Sequence, residues 1–187
     1  MKINLSVVII NYNTSVLTFN CVLSIIKQTP KNLTYEIIVI DNASSFEEYN
    51  DLKKMIDQLG NEKVFLFRSK LNGGFSAGNM LGVQFAKGEY LAFINNDVIL
   101  VEDSFTYPLD YLGKNKHVGI VGIQPIFENN EKQVVRSIME LVINLIYRIK
   151  VKDLRNFDNP LLTVKYLNSF NKLELLTLIS GKISSKS

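Results

Sequence analysis

The sequence predicts a parallel, three-layer α/β domain across its first hundred residues. Three observations carry that expectation. Apolar, β-branched runs alternate four times with segments of helical spacing, the pattern of βαβ units with right-handed crossovers. The first runs are nearly continuous rather than alternating, as strands covered on both faces must be. Most of the runs end in polar residues, which sets side-chain oxygens and amides at the lip of an open α/β sheet, where ligands sit.

Leu5 to Ile10 is the first strand, ending in Asn11, Tyr12, Asn13 and Thr14. A helix over roughly Val16 to Lys27 follows, capped by Thr14 or Ser15 and closed before Pro30. Glu36 to Ile40 is the second strand and runs into Asp41, Asn42, Ala43, Ser44 and Ser45. Ser45 and Glu48 have the spacing of a capping box for a helix from Phe46 to Leu59, with Gly60 as its stop. Val64 to Phe67 is the third strand, with Arg68 just beyond it. Asn72 to Gly82 is glycine-rich and leads into a helix ending near Lys87, with Gly88 as its stop. Tyr90 to Ile94 is the fourth strand, closed by Asn95, Asn96 and Asp97. A fifth strand is expected in Gly119 to Ile123, ahead of Pro125.

After Asn130 the character changes. Apolar residues from Val134 to Ile149 recur at helical spacing, with a narrow polar stripe of Arg136, Glu140, Asn144 and Arg148. Arg148, Lys150, Lys152 and Arg155 add basic charge directly afterwards. Two readings stay open for 134–155: packing on its own domain, or peripheral contact with a membrane surface or partner. Leu161 to Leu167 has the composition of a strand, and Ile183 to Ser187 that of a frayed end.

The bulk numbers exclude several classes. At 187 residues and 47% hydrophobic, the chain suits one domain with a substantial core. A net charge of +3 is too weak to argue for nucleic acid. One cysteine, Cys21, excludes an internal disulfide and suits a reducing, cytoplasmic setting. One histidine, His117, excludes His-cluster metal sites. The N-terminus runs straight into a strand without a signal-peptide pattern, and no uncharged apolar run is long enough for a simple membrane span.

Four strand ends thus bring Asn11, Tyr12, Asn13, Asp41, Asn42, the Arg68 to Gly78 loop, and Asn95, Asn96 and Asp97 to one edge. Each group alone suits a cap or turn. Together they form a polar crevice that fits a nucleotide. Tyr12 can stack on a base, and Asp41 can accept a hydrogen bond from a base imide such as that of uracil or thymine. Gly73 and Gly74 let backbone approach phosphates. Asp97 can coordinate Mg2+ or Mn2+, hard cations that take oxygen ligands. A Rossmann dehydrogenase would need G-x-G-x-x-G after the first strand, where Asn11-Tyr12-Asn13-Thr14 stands instead. A P-loop is missing from that turn as well, and no basic, glycine-rich loop of a nucleotidyltransferase follows it.

The segments "VVIINYN", "EIIVIDNAS", "NGGFSAGN" and "FINNDV", in that order, resemble family 2 glycosyltransferases of the GT-A fold, most nearly the rhamnosyltransferase-like branch. The resemblance covers about residues 4–127. It implies an enzyme that moves a sugar from a UDP- or dTDP-sugar to an acceptor hydroxyl with inversion, in cell-surface polysaccharide synthesis. The acceptor would be a saccharide or lipid-linked. It implies that Asn11, Tyr12, Asn13, Asp41, Asn42, Arg68, Asn72, Gly73 and Gly74 hold the nucleotide. Asn79, Asn95 and Asn96 would face the donor sugar, and Asp97 the metal. Residues 1–127 would form the donor region, and 128–187 a short acceptor-side region of the same domain. Two departures stand out. Met80 occupies a position where the family usually has asparagine. Beyond Asp97 no acid falls in the family's Glu-Asp pattern, which supplies the catalytic base, so the base is unassigned. The alternative is a nucleotide-sugar-binding protein that is catalytically incomplete.

Overall fold

The computed structural model describes residues 2–123 and 178–181. The chain runs β1 (Leu5–Asn11), α1 (Ser15–Gln28), β2 (Tyr35–Asp41), α2 (Phe46–Leu59), β3 (Val64–Arg68), α3 (Gly74–Phe85), β4 (Tyr90–Ile94), α4 (Thr106–Lys114), β5 (Ile120–Gly122) and β6 (Leu178–Gly181). One six-stranded sheet has the order β3-β2-β1-β4-β6-β5. The β1, β2, β3 and β4 strands pair in parallel, and β6 lies antiparallel between β4 and β5. The expected three-layer, mostly parallel domain is the one observed.

Both faces of β1 and β2 are covered, which is why their sequences do not alternate. Val7, Ile9, Ile37 and Val39 pack with Cys21, Val22 and Ile25 of α1 and with Leu52 and Ile56 of α2, all buried in one cluster. The opposite face carries Val8, Ile10 and Ile40, which lie against α3 at Gly78 and Gly82. Burying an Ile or Val side chain contributes on the order of 1.5–3 kcal/mol, so this double-sided stack is the main source of the fold's stability.

The helix signals hold in part. Gly60 ends α2 in the left-handed region, at φ 59°, where glycine carries no Cβ penalty. The capping box of α2 is only half formed. The Ser45 hydroxyl accepts from Glu48 N at 3.2 Å, but the Glu48 carboxylate leaves Ser45 and accepts from Ser15 N at 2.9 Å. That bond satisfies a free donor at the start of α1, and Ser45 N turns to Asn13 Oδ1 instead, at 2.8 Å. Thr14 precedes α1 but makes no side-chain cap bond.

Two further expectations change. The glycine-rich segment is a loop only to Gly73; from Gly74 it is the first turns of α3. A Cβ at Gly78 would lie 3.1 Å from Ile10, and one at Gly82 2.4 Å from Val8. Those two glycines let α3 approach the sheet rather than let backbone approach phosphate. The sheet also contains β6, whose four residues were not read as a strand. The proposed helix over 134–149, the strand over 161–167 and the acids Glu128, Glu131, Glu140, Asp153, Asp158 and Glu174 lie outside the described residues. Among the described residues, no helix is long and apolar enough to cross a membrane.

Candidate active site

The sheet register aligns the site. Asn11 of β1 pairs with Asp41 of β2, and Asp41 with Arg68 of β3. On the other side Ile9 pairs with Ile94, the last residue of β4, so Asn95, Asn96 and Asp97 emerge beside the end of β1.

Asp41 is the centre of the first half, and it is fully buried. Its Oδ1 accepts from Asn11 Nδ2 at 2.9 Å, and its Oδ2 from Ser44 N at 3.3 Å. Arg68 Nε lies 3.3 Å from Oδ2. The same guanidinium donates to the Ser44 carbonyl at 2.8 Å and stacks on Tyr49, 4.3 Å from its ring centroid. A buried carboxylate is tolerated only when paired and hydrogen-bonded, and here three donors meet it. Left-handed backbone at Asn13 (φ 54°) and Ala43 (φ 62°) bends both loops. The Ser44 hydroxyl then reaches Asn11 Nδ2 at 3.1 Å and Asn13 N at 2.9 Å. Tyr12 stands at the rim, half exposed.

Asn42 joins this half to α3. Its Nδ2 donates to Asn72 Oδ1 at 2.9 Å and to the Gly74 carbonyl at 3.1 Å. Asn72 Oδ1 also accepts from Gly74 N at 2.9 Å, which fixes the turn through Gly73. Asn79 sits one turn further along α3, buried, with its Nδ2 on the Phe75 carbonyl at 3.1 Å.

The second half is the end of β4. Asn96 Nδ2 donates to Thr14 Oγ1 at 2.6 Å and to Thr18 Oγ1 at 2.9 Å. The Asn95 carbonyl accepts from Val98 N at 3.1 Å and lies 3.6 Å from Cys21 Sγ. Burial, and then the Asp97 charge, push the Cys21 thiol up to about 12. Asp97 is exposed, and its carboxylate enters no ion pair among the described residues. No group of three or more His, Cys, Asp or Glu that could cage a metal occurs among the described residues. A lone exposed carboxylate is one hard oxygen donor, which can join a cation whose other ligands are phosphate oxygens and waters, as in many Mg2+ sites.

The structure thus gathers Asn11, Asn13, Asp41, Asn42, Arg68, Asn72 and Asn96 into bonded groups at one edge. Reading the sequence missed Thr14, Thr18 and Ser44 as parts of the site. Thr18 did carry a signal. Thr18, Cys21, Val22 and Ile25 share the buried stripe of α1, and Thr18 puts a hydroxyl where that periodicity asks for an apolar group.

An α/β sheet with this strand order and a polar C-terminal lip is of the GT-A class, and the solved structures that resemble it are GT-A glycosyltransferases. A mannosyltransferase of Pyrobaculum calidifontis, solved with GDP-Man and Mn2+, superposes with a TM-score of 0.59 at 17% identity. The match covers 67% of this chain and 36% of that one. GalNAc-T7, solved with UDP, GalNAc and Mn2+, gives a TM-score of 0.55 at 25% identity, over 60% of this chain and 21% of that one. The chain belongs to glycosyl transferase family 2, whose family model matches residues 6–169. The glycosyltransferase GlyG of Streptococcus pneumoniae serotype 4 is 34% identical over 53% of this chain and 32% of its own length. The poly(ribitol-phosphate) beta-glucosyltransferase of Bacillus spizizenii is 35% identical over 52% of this chain and 15% of its own. The chain spans less than half the length of the curated relatives it matches.

Proposed function

We propose that the protein transfers a sugar from a nucleotide-diphosphate sugar, a UDP- or dTDP-sugar, to an acceptor hydroxyl with inversion. The observation that carries this reading is the pairing of two unlike half-sites on one sheet edge. One is a closed, charge-stabilised cluster around Asp41; the other is an exposed acid, Asp97. A nucleotide diphosphate has the matching halves, a base to be read and a charged diphosphate to be neutralised. Tyr12, Asn13 and the Asp41 cluster would take the nucleoside. Asn72, Gly73 and Gly74 would lie along the phosphates, with Asn79, Asn95 and Asn96 toward the sugar. Asp97 would hold Mg2+ or Mn2+, which when bound stabilises charge on the departing diphosphate. Membership of the rhamnosyltransferase-like branch is the finer reading and rests on the motifs alone. The acceptor would be a cell-surface saccharide or its lipid-linked precursor, met at the cytoplasmic face through 134–155. Residues 128–187 would form the acceptor side.

A second reading, a donor-binding protein without transfer, has its own observation. In-line attack needs a base within about 2.6–3.2 Å of the acceptor oxygen, or one water away. Among the described acids after Asp97, Asp103 caps α4 through Phe105 N and Thr106 N. Asp110 is paired with Lys114. Glu102 and the acids among residues 124–177 are the other carboxylates beyond Asp97.

Titration calorimetry of UDP and dTDP, with and without Mn2+, tests the site. Asp97→Ala is expected to lose the Mn2+-dependent gain in affinity while keeping its circular dichroism and Tm, because Asp97 is exposed. An unchanged Mn2+ response in this variant would remove Asp97 from the metal site. Donor hydrolysis and transfer assays on the wild type separate the two readings.

A further inference from the structure

We propose that Thr18 is a positioning residue that fixes which end of the Asn96 amide faces the ligand, an inference that rests on the proposed nucleotide-diphosphate site. The argument follows hydrogen-bond polarity from Asp41 outward. An ionised carboxylate only accepts, so Asn11 must turn its NH2 toward Asp41 Oδ1, 2.9 Å away. The other end of Asn11, Oδ1, can then only accept, and it faces α1. Thr18 Oγ1 lies 2.7 Å from it and must donate its single proton there. The lone pairs left on Thr18 can only accept, and Asn96 Nδ2 supplies the donor at 2.9 Å. Asn96 is thereby held with its NH2 on the two threonines and its carbonyl oxygen turned away from them, available to a ligand.

Thr14 does not fix this direction by itself. Its hydroxyl also meets Asn96 Nδ2, at 2.6 Å, but its own acceptors are distant, Asn11 Oδ1 at 3.5 Å and the Tyr12 carbonyl at 3.4 Å. It can turn and donate to a flipped amide. Thr18 cannot, because Asn11 claims its proton. Asp41, Asn11 and Thr18 are all fully buried, so water does not compete with the chain of bonds. The polarity of the Asp41 cluster therefore sets the chemistry of the opposite half-site, two strands away. With the relay intact, the Asn96 amide offers an oxygen to a ligand, suited to a divalent cation or a sugar hydroxyl. With the relay broken, an N–H competes for that place.

The test compares Thr18→Val, similar in size but without a hydroxyl, with Thr18→Ser, which keeps it. In the metal-free protein, the Asn96 side-chain NH2 is followed by NMR hydrogen exchange and assigned by its loss in Asn96→Ala. Slow exchange is expected in the wild type and Thr18→Ser, and fast exchange in Thr18→Val. In calorimetry, Thr18→Val should lose about tenfold of the Mn2+-dependent gain in UDP or dTDP affinity, the scale of one lost hydrogen bond at a charged site. Thr18→Ser should keep the whole gain. A folded Thr18→Val with wild-type exchange and Mn2+ response overturns the proposal. A wild type that binds neither nucleotide, or ignores Mn2+, overturns the functional reading instead, and the exchange data still judge Thr18. If Thr18→Val does not fold, Thr18→Ala against Thr18→Ser makes the same comparison, since both lack the γ-methyl and differ only in the hydroxyl. Collapse of all three would make Thr18 a folding residue only and would end the proposal.

Discussion

At the scale of single residues, Asp41 does two jobs that the sequence showed as one. The run from Glu36 to Asp41 marked it as an acid at a strand end, available to a base. The structure adds that its carboxylate is already the acceptor for Asn11, the Ser44 amide and Arg68. In Asp41→Asn, one of the two oxygens becomes an NH2 that faces a donor on either side. A buried donor–donor clash beside an arginine left without its partner costs about 3 kcal/mol. Urea unfolding should therefore show a clear loss of stability, together with weaker uridine or thymidine nucleotide binding. A shift below about 0.5 kcal/mol, the range of an ordinary surface change, would mean that the Asp41 cluster does not support the fold. The clustering itself was not legible in the sequence. It depends on left-handed turns at Asn13 and Ala43, and alanine gives no sign that it will take such a conformation.

At the scale of elements, the strands and helices up to β4 were legible because their cause is local. Continuous β-branched runs make doubly covered strands, and Gly60 ends α2 in the left-handed region that glycine favours. The packing role of Gly78 and Gly82 in α3 was not legible because glycine serves two ends, backbone approach to a ligand and close packing of a helix on a sheet, and sequence does not separate them. Gly88, in the turn after α3, packs against strand backbone rather than a side chain. Its Cβ would lie 2.5 Å from Ser6 N and 2.7 Å from the Leu5 carbonyl carbon, both backbone of β1. The turn is also bonded there: Gly88 N donates to Ser6 Oγ at 2.8 Å, and Lys87 N to the buried Glu36 carboxylate at 2.6 Å. Strand backbone cannot move aside as a flexible side chain can, so Gly88→Ala should cost about 1–3 kcal/mol. Gly113 in α4 is the control, with nothing within 4 Å of its Cβ position. Gly113→Ala should be neutral or stabilise by up to about 1 kcal/mol, since alanine is the better helix former. Equal melting temperatures for the two variants would contradict this account of the α3–β4 turn.

At the scale of the whole molecule, the sheet is completed from far along the chain. β6 pairs Leu178 to Gly181 with Phe93 to Tyr90 on one side and Leu178 to Ser180 with Gly122 to Ile120 on the other. Four residues are too few to show a period, and their partners are more than fifty residues away in sequence, so reading the chain locally could not find this strand. Its place matters for the site, because β4 carries Asn96 and Asp97 and is otherwise paired only with β1 among the described residues. Removing 178–187 would leave the outer side of β4 as an open edge, a template for association with other chains. It would also leave β5 with no strand partner among the described residues. By contrast, β1, β2 and β3 keep all their pairings with one another and with β4, and Val7, Ile9, Ile37 and Val39 keep their cluster with Cys21, Val22 and Ile25 of α1 and Leu52 and Ile56 of α2. The shortened chain should therefore fail in a graded way. Hydrogen exchange should accelerate at 120–122 and along β4, while amides of β1 and β2 stay protected, and the protein should associate at concentrations where the full chain does not. Mn2+-dependent nucleotide binding should fall more than metal-free binding, because the Asp97 half-site hangs on the weakened strand and the Asp41 half-site does not. Unchanged protection at 120–122 in the shortened chain would show that β5 and β4 are held without β6, and this ordering of the sheet would have to be given up.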